Sequence, residues 1–430
     1  MKLFGKNISL GLFLFMLYVC PLCNFLQEAF FATTNVFSAF YIILTAFLLF
    51  KGGKINSLHG GGILYLFLLV IICLMGFSGD WLAVMQSVFL LIYLRSKSMS
   101  KVSDVAHLSI IFLIIGVLCA ASCILELIDF PLYASLVFPL YKNEIRETIQ
   151  SLYLGGHMCG ITSQTANAAG VILNGFYVLV VFKPSSIAKR WRIIFFVLLV
   201  IGLFLTGKRA HLFFGLAIWL SSFIITSSNK NRIKNFILIV VSLVISIPIL
   251  VSIAPKLGQE NVLSKIIFSF QNVSKDKEEV LNGREYLYDM AWKQVEEAPF
   301  TGHGWGSFKK NVDYHGGATD VHNVYLQLWA ENGIFVLLLF IVMLLALITK
   351  TITLARYYGL LGNKYKDITD MLRFSFCIQG FFIMYCFTGN CLYNIDFFSM
   401  YILAVSIMLA VKNKKILIKR NHEEIIYNYD

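Results

Sequence analysis

Twelve apolar runs, almost free of charge, return along this chain at 8–25, 35–50, 63–77, 81–94, 108–128, 166–182, 192–206, 210–226, 235–253, 324–349, 371–388 and 394–411. No water-soluble core uses so many. In lipid every backbone N–H and C=O must pair within the protein, so a spanning segment is either a helix or a strand of a closed barrel. Barrel strands alternate apolar and polar residues, whereas these runs are continuous, which selects helices. Composition agrees: 430 residues are 58% apolar and 14% charged, where a soluble domain carries about 25% charge. The expected fold is an all-α polytopic membrane protein of about twelve transmembrane helices, forming one integral-membrane domain over 1–430. The first six residues, with Lys2 and Lys6, resemble the start of a signal peptide. No small-x-small site follows, so the first run is expected to stay as a span.

A net charge of +12 invites a nucleic-acid reading, but its distribution excludes that class. If the N-terminus is cytoplasmic, the basic residues gather in alternate loops. These hold Lys51 and Lys54; Arg95, Lys97 and Lys101; Lys183, Lys189, Arg190 and Arg192; Lys230, Arg232 and Lys234; Lys350, Arg356, Lys364 and Lys366; and the tail from Lys412 to Arg420. The acidic residues favour the other side. This is the positive-inside pattern, and it predicts cytoplasmic N- and C-termini. Two long segments then fall on the outer side, at 129–165 and 254–322, and long structured loops tend to carry function.

Most of the nine cysteines lie within apolar runs, Cys159 and Cys391 being external. Cys20-Pro-Leu-Cys23 has no second ligand pair and reads as packing. The second outer loop is expected to be partly helical. Asn282 and Glu285 have capping-box spacing, Leu287, Met290, Ala291 and Val295 recur at helical intervals, and Pro299 ends the segment. The string GHGWGSF (Gly302–Phe308) follows as a turn. Asp320 is then expected to cap a helix that starts near His322 and becomes the next span.

Three outer residues stand out chemically. Arg209, beside Lys208 in the short turn TGKRAH, is either a snorkelling anchor or an anion clamp. Arg284 is either a salt-bridge partner or a phosphate grip. His322, at a helix start, is either an interfacial cap or a general base held neutral by the helix's positive end. Gly304 and its neighbouring glycines would let backbone approach a bulky partner. Trp305 is a lipid-interface anchor or a sugar platform. His303 and His315 are lesser candidates, Asn323 adjoins His322, and no histidine spacing suggests a metal site.

The strings NGREYLYDMAWKQVEEAPFTGHGWGSF and HNVYLQLWAENGIFVLLLF, over Asn282 to about Phe340, resemble the O-antigen ligase and O-antigen/capsular polysaccharide polymerase superfamily. Arg209 after an apolar run is a second match, although many relatives have Ser where this chain has Lys208. Thr162 to Gly170, with Asn167, matches loosely. The resemblance implies a GT-C-like, metal-independent, inverting glycosyltransferase without a cofactor. It would work at the outer face of the bacterial inner membrane on glycans carried by undecaprenyl pyrophosphate. Arg209 and Arg284 would hold the pyrophosphate, and His322 would activate an acceptor hydroxyl. Lys208, Gly304, Trp305, Asn323 and His303 would line the substrate site. The acceptor would be a lipid-linked glycan for a polymerase, or lipid A–core for a ligase. Membrane lipids and a chain-length regulator or flippase are the implied partners. The Lys-, Ile-, Phe- and Asn-rich composition, with seven prolines, leans toward a surface-polysaccharide polymerase. A lipid-glycan flippase is the rival from another class, but its midplane charges are missing here.

Overall fold

In the computed structural model, the residues described are 2–3, 6–7, 42–48, 62–95, 102–182, 187–226, 284–314, 317–362 and 365–427. The expected runs at 8–25 and 235–253, Cys20–Cys23, Asn282 and His315 lie outside them. Of the run at 35–50, only 42–48 is described, and it is helical. The other nine runs each coincide with a helix. These are α1 (Gly62–Phe77), α2 (Trp81–Arg95), α3 (Val102–Ile128), α6 (Thr165–Tyr177, continued by a π-helical turn Val178–Phe182), α7 (Lys189–Leu205), α8 (Arg209–Thr226), α11 (Val324–Leu360), α12 (Lys366–Tyr385) and α13 (Ile395–Tyr427). Between them lie α4 (Phe130–Val137), α5 (Asn143–Leu154), α9 (Glu285–Glu297) and α10 (Ser307–Asn311). The only strands among the described residues are two antiparallel two-residue pairs, Lys2–Leu3 with Lys6–Asn7 and Asp313–Tyr314 with Gly317–Ala318.

By length and apolarity, Ser109–Ile128, Thr165–Phe182 and Val324–Leu360 are able to cross a bilayer. Gly62–Phe77, Ala83–Leu94, Phe130–Leu140, Arg209–Ile225 and Ile395–Val411 are shorter apolar helices. The chain is a helical membrane protein. Lipid tails give helices no hydrophobic reason to associate, so close packing and polar contacts must do so. Both are present. Where α3 crosses α6, a Cβ on Gly116 would lie 3.0 Å from Gly175 Cα. Where α3 meets α7, a Cβ on Gly202 would lie 2.5 Å from the Ala120 methyl. The backbones touch because neither position carries a larger side chain. Across α11, α12 and α13, Gln379 donates to Thr351 (2.8 Å) and Ser375 (2.9 Å), and Ser375 donates to the Ala404 carbonyl (2.6 Å).

Much of the segment at 129–165 is helical. Asp129 caps α4 by accepting from Leu132 N–H at 3.0 Å. The stretch after α5 is pinned from several directions. Glu126 accepts from Cys159 N–H (2.9 Å) and Gly160 N–H (2.8 Å), Tyr133 donates to Gly160 O (2.6 Å), and Tyr141 donates to Ile161 O (2.9 Å). Met158 N–H reaches Leu205 O at 2.9 Å, which brings this stretch beside the α7–α8 turn.

The described part of the second long segment, 284–314 and 317–322, is built on α11. Helix α9 buries Leu287, Ala291 and Val295 in a small core shared with Phe308, Val312, Val321 and Ala330. Its apolar stripe therefore faces the bundle. It ends at Glu297, just before Pro299, as its sequence requires. Helix α11 is broken at Gly333 (φ 77°, ψ 172°). A break orphans carbonyls and N–H groups that must pair elsewhere. Ile334 N–H turns to Pro299 O (3.0 Å), while the carbonyls of Ala330 and Glu331 accept from His303 N–H (3.2 Å) and Gly304 N–H (2.6 Å). The glycine string therefore completes the broken helix. Its close approach is to α11: a Cβ on Gly302 would lie 2.3 Å from the Glu331 carbonyl.

Candidate active site

The turn Thr206-Gly207-Lys208 joins α7 to α8. Gly207 has φ +68°, and a Cβ there would meet His157 Nδ1 at 2.1 Å, so only glycine lets the turn press against that ring. The consequence is that Lys208 and Arg209 leave the turn beside the pinned 157–164 stretch. Arg284 stands immediately before α9, and its Nη1 donates to the Thr388 carbonyl at 3.0 Å. That carbonyl lies in the turn after α12.

His322 arrives from a third direction. The expected cap, Asp320, is not the cap of α11. Asn323 is, accepting from Leu326 N–H at 3.2 Å, because its short side chain sits at the position from which it can reach that amide. Asp320 instead accepts from Gln327 (3.0 Å) and Asn390 (3.3 Å). His322 therefore precedes the helix rather than opening it, and it takes φ +60°, the one positive φ outside glycine among the described residues. Such a conformation persists only when its surroundings enforce it. Here Val321 N–H donates to Gln327 Oε1 (3.1 Å) and Val324 N–H to Cys386 O (2.8 Å), holding the chain on both sides of the ring.

Lys208, Arg209, Arg284 and His322 all line one cavity of about 890 Å³. Among the described residues no carboxylate forms an ion pair with Lys208, Arg209 or Arg284. Burial, and then the charge of Arg284, lower the pKa of Lys208. Burial first, then Arg284 and Lys208, push His322 down to about 4 against a smaller upward pull from Asp320. The expected direction holds, but burial is the leading cause rather than the helix end. The charge of Arg284 reaches both Lys208 and His322, and that of Lys208 reaches His322, so the three stand within electrostatic range around the cavity they line. Arg209 lines the same space without acting on their titration. Three cations with no carboxylate partner among the described residues, around a half-buried cavity, favour a multivalent anion.

The other candidates lie off the cavity wall. Gly304 serves the break in α11. Trp305 is 6% exposed and stacks on Tyr393 at 4.7 Å, which gives it neither a lipid-facing nor an open sugar-facing surface. His303 Nε2 lies 3.0 Å from Gln294 O. Asn323 caps α11. Sequence reasoning missed His157, Gln164, His211, Tyr385, Asn390 and Asn394, which also line the cavity. The one available signal was the polar run TGNCLYN (Thr388–Asn394) between two spans.

No curated protein matches the chain. Residues 194–341 of the 430 match a family model described as O-antigen ligase, a stretch that holds Lys208, Arg209, Arg284 and His322 but not the cavity residues contributed by α12 and α13. On that match, the chain carries an O-antigen ligase family domain over residues 194–341.

Proposed function

We propose that the protein is a surface-polysaccharide polymerase. In this reading it transfers a glycan from undecaprenyl pyrophosphate to a sugar hydroxyl on a lipid-linked repeat unit, at the outer face of the bacterial inner membrane. The family domain implies glycan transfer and lipid-linked substrates. The observation that carries the reading is the convergence of three cations, with no carboxylate partner among the described residues, and of the His322 imidazole on a single cavity. A disubstituted diphosphate bears two negative charges at neutral pH, and guanidinium groups match its oxygens in pairs. The acceptor oxygen attacks the anomeric carbon in line, its proton passes to His322, and the bond to the diphosphate oxygen breaks. Charge developing on that oxygen is met by Arg284, Lys208 and Arg209, already in place before reaction. A twelve-span, GT-C-like frame with cytoplasmic termini belongs to the same proposal.

A second reading is favoured by the description of the matching family, which names ligation. A ligase would use the same donor chemistry with lipid A–core as acceptor. Purified protein in liposomes, given a lipid-linked repeat unit with and without lipid A–core, separates the two. Growth of chains on the carrier lipid alone supports the polymerase, and transfer only to the core supports the ligase. Unchanged glycan appearing in the opposite leaflet, with no new glycosidic bond, would overturn both. Arg284→Ala and His322→Ala are expected to abolish transfer at normal protein levels, and near-full activity in either would remove its assigned role.

A further inference from the structure

We propose that Cys386 and Cys391 are joined by a disulfide that staples the turn between α12 and α13 around the cavity. Their sulfurs lie 2.7 Å apart, inside ordinary contact distance, and both side chains are fully buried. Cys386 is the C-cap residue of α12, not part of the span interior as its apolar surroundings suggest. The turn these cysteines bracket touches three parts of the site. Cys386 O accepts the first N–H of α11, at Val324 (2.8 Å). Thr388 O accepts from Arg284 (3.0 Å). Asn390 donates to Asp320 (3.3 Å), two residues before His322. A covalent tie between the ends of this turn fixes the carbonyls and amide that orient both Arg284 and His322. Neither thiol faces the cavity, and Cys391 Sγ also lies 3.6 Å from Phe382 O in the last turn of α12, so both sulfurs sit on the α12 side of the turn.

The chemistry is ordinary thiol–disulfide exchange with a disulfide donor. One cysteine thiolate attacks the donor disulfide, giving a mixed disulfide and one donor thiol. The second cysteine thiolate then attacks the sulfur of the first and releases the other donor thiol. The cysteines lose two electrons and two protons, and the donor gains them. Extracytoplasmic compartments keep such donors available, so the inference rests on the outer-face reading proposed above. Exchange takes place before the turn packs, and burial afterwards shields the bond from reductants.

The test uses the full-length wild-type protein, extracted without reductant into detergent containing N-ethylmaleimide, denatured, and digested with trypsin. The peptide Phe374–Lys412 carries Cys377, Cys386 and Cys391. One maleimide adduct is expected before reduction, on Cys377, with three after reduction and relabelling. Three adducts without reduction overturn the disulfide. In parallel, a membrane-impermeant maleimide is applied to intact spheroplasts carrying Lys309→Cys, at an exposed position in α10. Labelling there together with free thiols at Cys386 and Cys391 sinks the staple alone. No labelling there means that the outer-face reading has failed with it.

Discussion

His322 raises a difficulty on its own scale. Held at a pKa of about 4 by burial, Arg284 and Lys208, it is neutral at pH 7 but a feeble base. The cations that depress it are the ones assigned to the diphosphate. When the donor binds, two negative charges offset them, and the imidazole regains basicity in the complex that reacts. This gives a signed expectation. A base must be deprotonated, so activity falls on the acid side of its pKa. The acid limb of kcat/KM, which reports the free protein, should lie near pH 4, and that of kcat, which reports the complex, should lie at higher pH. Lys208→Met removes one depressing charge and should shift the kcat/KM limb upward while weakening donor binding. Steady-state rates across pH in liposomes check both. Coincident limbs in the wild type would mean that His322 does not face the diphosphate, or is not the base. Lys208 and Arg209 were legible, because two basic residues on a short turn that the charge pattern assigns to the outer side contradict that pattern and stand out. The asparagines and histidines of the far wall were not, since polar residues in turns are ordinary until a fold brings them together.

At the scale of elements, the broken α11 and the glycine string form one unit. Gly333 takes a left-handed φ, and a Cβ there would lie 2.0 Å from Phe300 O, backbone that has little room to retreat. Gly304 also has a positive φ, +97°, but a Cβ there meets nothing within 4 Å. The two glycines therefore separate conformational cost from contact. Gly304→Ala should cost about 1 kcal/mol from backbone conformation alone. Gly333→Ala should cost about 3 kcal/mol or more, because the docked turn must move as well. Thermal unfolding in detergent, followed with glycan transfer, should show the larger loss in Gly333→Ala, since the shift propagates to His322 through Glu331, Gln327 and Asp320. Here Gln327 Nε2 lies 3.2 Å from Glu331 Oε1 and 3.0 Å from Asp320 Oδ1. Equal losses in the two variants would show that the turn is not seated on α11. The spacing of the string announced positive φ angles and a turn. What the turn packs against depends on a helix break some thirty residues later, and a lone glycine in an apolar run does not advertise one. The stripe of α9 was readable because Leu287, Ala291 and Val295 share one helical face; that the face meets α11 rather than lipid depends on tertiary packing.

The whole molecule must present this cavity to one side of a bilayer, and α11 supplies a ruler. From Ile334 to Leu360 the helix is unbroken, and at about 1.5 Å per residue it runs roughly 40 Å, against about 30 Å for the hydrocarbon core. His322 and α10 lie at its start, and Lys366, which opens α12, lies just beyond its end. On the proposed topology the bilayer separates them. The proposed sidedness follows from charge: Lys350, Arg356 and Lys366 lie toward the far end, and basic clusters of this kind tend to stay cytoplasmic. Glycan assembly on an outward-facing lipid carrier needs the opposite end exposed outside. An impermeant maleimide should then label Lys309→Cys in intact spheroplasts, whereas Lys366→Cys should label only after permeabilisation. Both positions are exposed, so silence at either reflects sidedness rather than burial. The reverse pattern would place the cations and His322 in the cytoplasm, where the outer-leaflet carrier cannot reach them, and transfer at the outer face would fail as a description of this molecule.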